Sequence, residues 1–192
     1  MKNEIKSVKL AITGTKRLIM HSGRLADPLD PITRDLARLT AKRPKTESDH
    51  RMIAKTEWYG GLWLHNGEPC IPAEALMSVF CGAAKIVRCG ELAAAGLTVD
   101  ENAPLIYDGP RDVDELWKTG KFSLRAGVKL RGNKTMRTRP VFADWRVEFV
   151  AHFLPDVINL DQVCEIYALA GIRKGLGDWH PQNGTFLVER LE

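Results

Sequence analysis

Apolar residues near the start of the chain, Ile5, Val8, Leu10 and Ile12, recur among lysines in the pattern of a half-buried strand, and Leu18-Ile19-Met20 extends it. The same alternation predicts strands over 121–131 and 135–153, joined through the turn residues Gly132-Asn133-Lys134, and a closing strand over 184–191. Pro140 is expected at a kink or an edge of the long second arm. Elsewhere the spacing changes to threes and fours. Leu76, Val79, Phe80, Ala83, Ala84 and Val87 share one face of a helix predicted over 73–88, with Pro72 just before its first turn. Val163, Ile166, Tyr167 and Ala170 do the same for a helix over 160–173.

Between the first strand and the first of these helices the chain turns polar. Ile32 to Leu39 and Glu47 to Trp58 have helical spacing, and Lys42-Arg43-Pro44-Lys45-Thr46 interrupts them, so residues 27–58 are predicted to form an inserted helical arm. Tyr59 to Leu64 reads as a turn into a short strand, and residues 90–120 as short mixed pieces. Without the insertions the order is strand, helix, strand, strand, helix, strand. That is the ferredoxin-like split order of an α+β fold, an antiparallel sheet with both helices on one face.

A length of 192 residues suits one domain, 1–192, carrying that arm, and an apolar fraction of 44% is ordinary for a globular protein. No stretch approaches the roughly 18 apolar residues of a membrane span, and Met1-Lys2-Asn3-Glu4 lacks signal-peptide character, so a cytoplasmic location is expected. Cys70, Cys81, Cys89 and Cys164 form no C-x-x-C pair and have no histidines at finger spacing. Reduced, buried thiols are expected, with no metal and no cofactor.

The net charge of +4 is modest, but its distribution is not even. Lys121, Arg125, Lys129, Arg131, Lys134, Arg137, Arg139 and Arg146 face the single acid Asp144 between 121 and 146, whereas the chain beyond Asp156 is mostly acidic. Such asymmetry suits a polyanion on one surface and a protein neighbour on another. A Walker loop, a G-x-S-x-G elbow and an H-E-x-x-H helix are all missing from the sequence, and Asp27, Asp30 and Asp35 are spaced for the start of a helix rather than a metal cluster.

The arrangement resembles the RAMP superfamily of CRISPR-associated RNA-binding proteins, in particular the backbone subunit that polymerises along a guide RNA. The resemblance rests on the strand and helix order, the arm after the first strand, Ile71-Pro72-Ala73 opening the first core helix, and Gly175, Gly177 and Gly184 in the loop before the last strand. It implies binding to single-stranded RNA by its backbone, an arm that interrupts base pairing, and a homo-oligomer or CRISPR-type complex subunits as partners, in defence or counter-defence. The acidic and aromatic loop residues Asp178 and Trp179 and the short chain point within that resemblance to a stand-alone, virus- or plasmid-encoded relative.

Several residues are candidates for phosphate contact. Arg125, Lys129 and Arg131 line one side of the first hairpin strand, Arg137 and Arg139 one side of its partner, and Lys134 lies at the turn. A solvated outer sheet face explains them equally well. Lys42, Arg43 and Lys45 form a second set in the arm. Gly175 and Gly177 would let a phosphate approach the backbone, although glycines there also suit a tight helix-to-strand connection. Trp179 and His180 could stack on a base or plug the edge of the core. Lys16, Arg17, His21 and Arg24 follow the first strand, where the resemblance puts a catalytic histidine in an RNA-processing branch of the superfamily. His21 as a general acid or base for cleavage through the 2′-hydroxyl is therefore the enzymatic alternative. A CRISPR subunit mimic acting through protein contacts is another. Non-enzymatic nucleic-acid binding is the expectation carried forward.

Overall fold

The computed structural model describes residues 4–130 and 132–191. Its elements run β1 (Lys6–Gly14), β2 (Leu18–Ile19), a 3₁₀ turn (Gly23–Ala26), α1 (Pro31–Ala41), α2 (Glu47–Gly61), β3 (Leu64–His65), β4 (Glu68–Ile71), α3 (Ala73–Ala84), α4 (Gly90–Gly96), β5 (Leu97–Thr98), β6 (Ala103–Pro104), α5 (Val113–Thr119), β7 (Ser123–Leu130), β8 (Asn133–Phe142), β9 (Arg146–Phe153), α6 (Leu160–Arg173) and β10 (Phe186–Arg190). They form two compact units. The first takes Met1–Leu18, Leu64–Asp108 and Phe142–Glu192, the second Ile19–Trp63 and Gly109–Val141.

The first unit is built on a four-stranded sheet ordered β10-β1-β9-β5, every neighbour antiparallel. With α3 between β1 and β5 in the chain and α6 between β9 and β10, this is the ferredoxin-like order. Val8, Leu10 and Ile12 of β1 stand opposite Ala151, Phe149 and Val147 of β9 and are buried with them. Against that face pack Leu76, Phe80 and Ala83 of α3 and Val163, Ile166 and Tyr167 of α6, all buried. Tyr167 is the hub, with its ring centroid 4.7 Å from that of Phe80 and 5.4 Å from that of Phe149. The small sheet β3-β4-β6 completes this unit.

The strand assignment differs from the expectation at one place. The second core strand is not the basic run over 121–131 but the two residues Leu97–Thr98, paired with Phe153 and His152 at the sheet edge. Two residues are too few for a period to show, whereas the hairpin alternates over its whole length and so dominated the pattern. The long arm over 135–153 is likewise two strands in two sheets, β8 and β9.

The second unit holds the sheet β2-β8-β7 with α1, α2 and α5. Asp30 caps α1 by accepting from the Ile32 and Thr33 amides, with Pro31 at the first helical position. A reciprocal capping box of Thr46 and Asp49 starts α2. That helix runs through Gly60 and Gly61 rather than ending in a turn before them. Close packing explains both glycines. A Cβ at Gly60 would stand 2.5 Å from Leu25, and one at Gly61 would stand 2.9 Å from Pro140. Trp58, fully buried, donates its indole N–H to the Phe122 carbonyl at 2.7 Å and packs on Trp117, which ties α2 to the start of the hairpin.

Candidate nucleic-acid interface

The β7–β8 ladder sorts the basic residues into two groups. Its register sets Arg125 against Thr138, Gly127 against Met136 and Lys129 against Lys134, so Arg125, Lys129 and Lys134 share one face with Met136. All three cations are exposed, and among the described residues none pairs with a carboxylate. Lys129 and Lys134 are a directly opposed cross-strand pair of like charge, which costs the ladder stability unless an anion lies between them. Arg131 lies outside the described residues.

Arg137 and Arg139 stand opposite Ala126 and Leu124, on the other face. There they meet Glu57 of α2 rather than solvent. Glu57 is 2% exposed, and its carboxylate accepts from Arg137 Nη1 at 2.6 Å and from the Thr138 backbone N–H at 2.9 Å, with Arg139 Nη1 at 4.0 Å. A carboxylate here does the work of an adjoining strand, because it satisfies a ladder N–H that would otherwise be buried unpaired. Arg139 is buried and Arg137 half-buried, so these two position α2 on the hairpin.

The arm shows a similar division of labour. Arg24 holds Asp30 through Nε and Nη2 at 3.0 and 2.8 Å, which fixes the N-cap of α1. Burial alone would raise the Asp30 carboxyl, but Arg24 and the two capping amides outweigh it and keep it below its ordinary value. Lys42 bonds Asp49 at 2.7 Å, and that bond, with those from Thr46, holds the Asp49 carboxyl well below the usual range. Arg43 and Lys45 wrap the end of α1, donating to the Thr40 and Lys42 carbonyls, where cations complement the helix dipole. Each keeps further N–H donors for a ligand. His21 is exposed.

In the second unit, Lys45 and His50 of the arm and Arg125, Met136 and Arg137 of the hairpin line one cleft of about 560 Å³. The arm and the hairpin, more than 60 residues apart in the chain, thus contribute to a single concave surface.

In the first unit a second group gathers at the loop before β10. Arg17 Nε donates to Asn183 Oδ1 at 2.9 Å, and the Asn183 backbone and side-chain amides both donate to the Trp179 carbonyl. The Arg17 carbonyl accepts from Gly184, and the Lys16 carbonyl from the Trp145 indole. Lys16 and Arg17 are exposed, as is His180, and Trp179 is half-buried at a φ of +54°. Gly175 is buried, and its missing Cβ makes room for the loop's own return strand: a Cβ there would meet the Asn183 carbonyl at 2.9 Å. At Gly184 the same test gives 1.7 Å to the Leu176 carbonyl. These two glycines close the loop on itself. Gly177, also at positive φ, is half-exposed.

The helix-free face of the first sheet, the usual platform of a ferredoxin-like RNA binder, is self-neutralised. Lys9 pairs with Glu148 at 2.9 Å, and Arg146 with Glu189 at 2.8 Å. Ser7 Oγ lies 2.8 Å from His152 Nδ1, with Asp100 3.7 Å from Nε2, an exposed contact in which water screens the carboxylate. Among the described residues no three His, Cys, Asp or Glu side chains converge as a metal site would need. Burial pushes the Cys70 thiol up to about 11, and all four cysteines are free. Among the described residues no helix is long and apolar enough to cross a membrane.

No protein-family profile matches the sequence, and no curated protein matches it. Among solved structures the chain is similar to the crystal structure of Cmr6 from Pyrococcus furiosus, with 9% identity and a TM-score of 0.42 over 96% of this chain and 98% of that one. The fold class rests on the chain's own strand order.

Proposed function

We propose that this chain is a non-enzymatic protein that binds single-stranded RNA through its phosphates, as a stand-alone relative of the RAMP superfamily. The observation that carries the reading is the exposed triad Arg125, Lys129 and Lys134 on one hairpin face, two of them opposed in register and none neutralised by a carboxylate among the described residues. Cations spread along an extended ladder suit a strand of phosphates better than a compact anion. Lys45 and Arg43 supply a further positive rim in the same unit, and Lys16, Arg17 and His180 offer a separate phosphate contact in the first unit. The strand and helix order, the arm and the closed glycine loop support the family reading and, with it, several copies arranged along one strand.

The test is a triple charge-removing variant, Arg125→Gln with Lys129→Gln and Lys134→Gln. Each phosphate contact on a single strand contributes about 0.7 to the slope of log affinity against log salt, so the variant should lower the slope by about 2 and lose affinity for RNA of every sequence. An unchanged slope would move the binding face elsewhere.

A further inference from the structure

We infer that the cleft between the arm and the hairpin receives one unstacked nucleobase of the bound strand. This rests on the phosphate-binding reading above and adds a base site to it. The floor is apolar: Leu36 of α1, Ile53 of α2 and Met136 of β8 line it, and Met136 is 49% exposed although it lies in a strand. The rim is cationic, with Lys45 on one side and Arg125 on the other. A volume of about 560 Å³ falls within the range of small-ligand pockets.

Arg125 is the link. It belongs both to the exposed cationic face and to the rim, so a strand whose phosphates follow Lys129, Lys134 and Arg125 brings its next base to the mouth of the cleft. A base out of its stack needs apolar surface on its faces and a polar group on its edge. Leu36, Ile53 and Met136 supply the first. His50 supplies the second, since its ring has no hydrogen-bond partner among the described residues. An apolar peptide would leave a guanidinium-lined mouth without an anion, whereas a nucleotide puts its phosphate there and its base within.

The experiment uses single-stranded RNA with one 2-aminopurine flanked by adenines and a dye at one end, titrated with the whole chain. Anisotropy of the dye reports binding, and 2-aminopurine emission reports unstacking. The wild-type chain should raise the emission as it binds. Ala37→Trp, which fills the cleft from an exposed position of α1, should abolish that rise and weaken binding about tenfold while leaving the salt slope unchanged. Met136→Gln, exposed on the hairpin and safe for folding, should reduce the rise in the same direction. If both variants bind with the full emission rise, the base does not enter the cleft and this inference falls while phosphate binding stands. If adenosine monophosphate alone binds as tightly as the strand, the occupant is a free nucleotide and the inference is overturned. If the wild-type chain binds no RNA at all, both readings fall together.

Discussion

Removing the Glu57 carboxylate is the perturbation whose cost can be worked most fully. Glu57→Ala leaves the Thr138 backbone N–H, now bonded at 2.9 Å inside the second unit, without an acceptor, and an unsatisfied buried donor costs about 1 to 3 kcal/mol. It also strips Arg137 of its bond at 2.6 Å and takes a carboxylate from beside the buried Arg139. Removing one partner of a buried ion pair costs about 3 to 5 kcal/mol, and the lost N–H bond is part of that figure rather than an addition to it. With a urea dependence of about 2 kcal/mol per molar, the midpoint should fall by about 1.5 to 2.5 M at an unchanged slope. Urea titration followed by tryptophan emission suits the measurement, because Trp58 and Trp117 pack together in the same unit. Glu57→Gln keeps an acceptor but not the charge and should lie between. Glu57→Met with Arg137→Met replaces the pair by apolar surface and should recover much of the loss. A midpoint shift below about 0.3 M for Glu57→Ala would mean that the arginines and the amide are hydrated in the folded protein, and the account of how α2 seats on the hairpin would be refuted.

The arm should also weaken in acid through Asp49. Its folded carboxyl lies below the unfolded value near 3.8, so its contribution is present above that pH and is lost as pH falls toward and through the folded value. The stability gap between wild type and Asp49→Asn, read from melts at neutral pH and at a pH below about 4, should narrow in acid; a constant gap would show that Lys42 and Thr46 do not hold the charge. In the first unit the Tyr167 hydroxyl is buried without a hydrogen-bond partner among the described residues, and burial pushes its titration far above the ordinary tyrosine range. Tyr167→Phe should therefore match wild type or gain about 1 kcal/mol, a rise of about 2 to 4 °C in Tm, and a clear drop in Tm would show that the hydroxyl is satisfied.

The fold class was legible because α3, α6, β1 and β9 bury continuous apolar faces, and their periods survive in the sequence. Leu97 to Val99 read only as one short piece of the mixed stretch over 90–120, because its place in the core sheet is set by pairing with β9, a contact far along the chain. The hairpin was readable as a hairpin, yet its two faces were not assigned functions by alternation alone. Arg137 and Arg139 look like Arg125 and Lys129 in the sequence, and only the register, together with a glutamate some 80 residues earlier, turns them inward. The signal available was Glu57 itself, an acid on the apolar side of Trp58 with no local cation three or four residues away to explain it. Gly175 and Gly177 were read as openings for a phosphate, whereas at Gly175 the structure fills the space with the loop's own carbonyls.

The central claim is that the chain itself binds single-stranded nucleic acid by its phosphates. The most direct measurement is an anisotropy titration of the purified chain against labelled single-stranded RNA and DNA of mixed sequence at two salt concentrations. The account predicts saturable binding to RNA that weakens steeply with salt, by about tenfold or more over a fourfold rise for three or more phosphate contacts. Binding absent at the lower salt, or present but indifferent to salt, would contradict it.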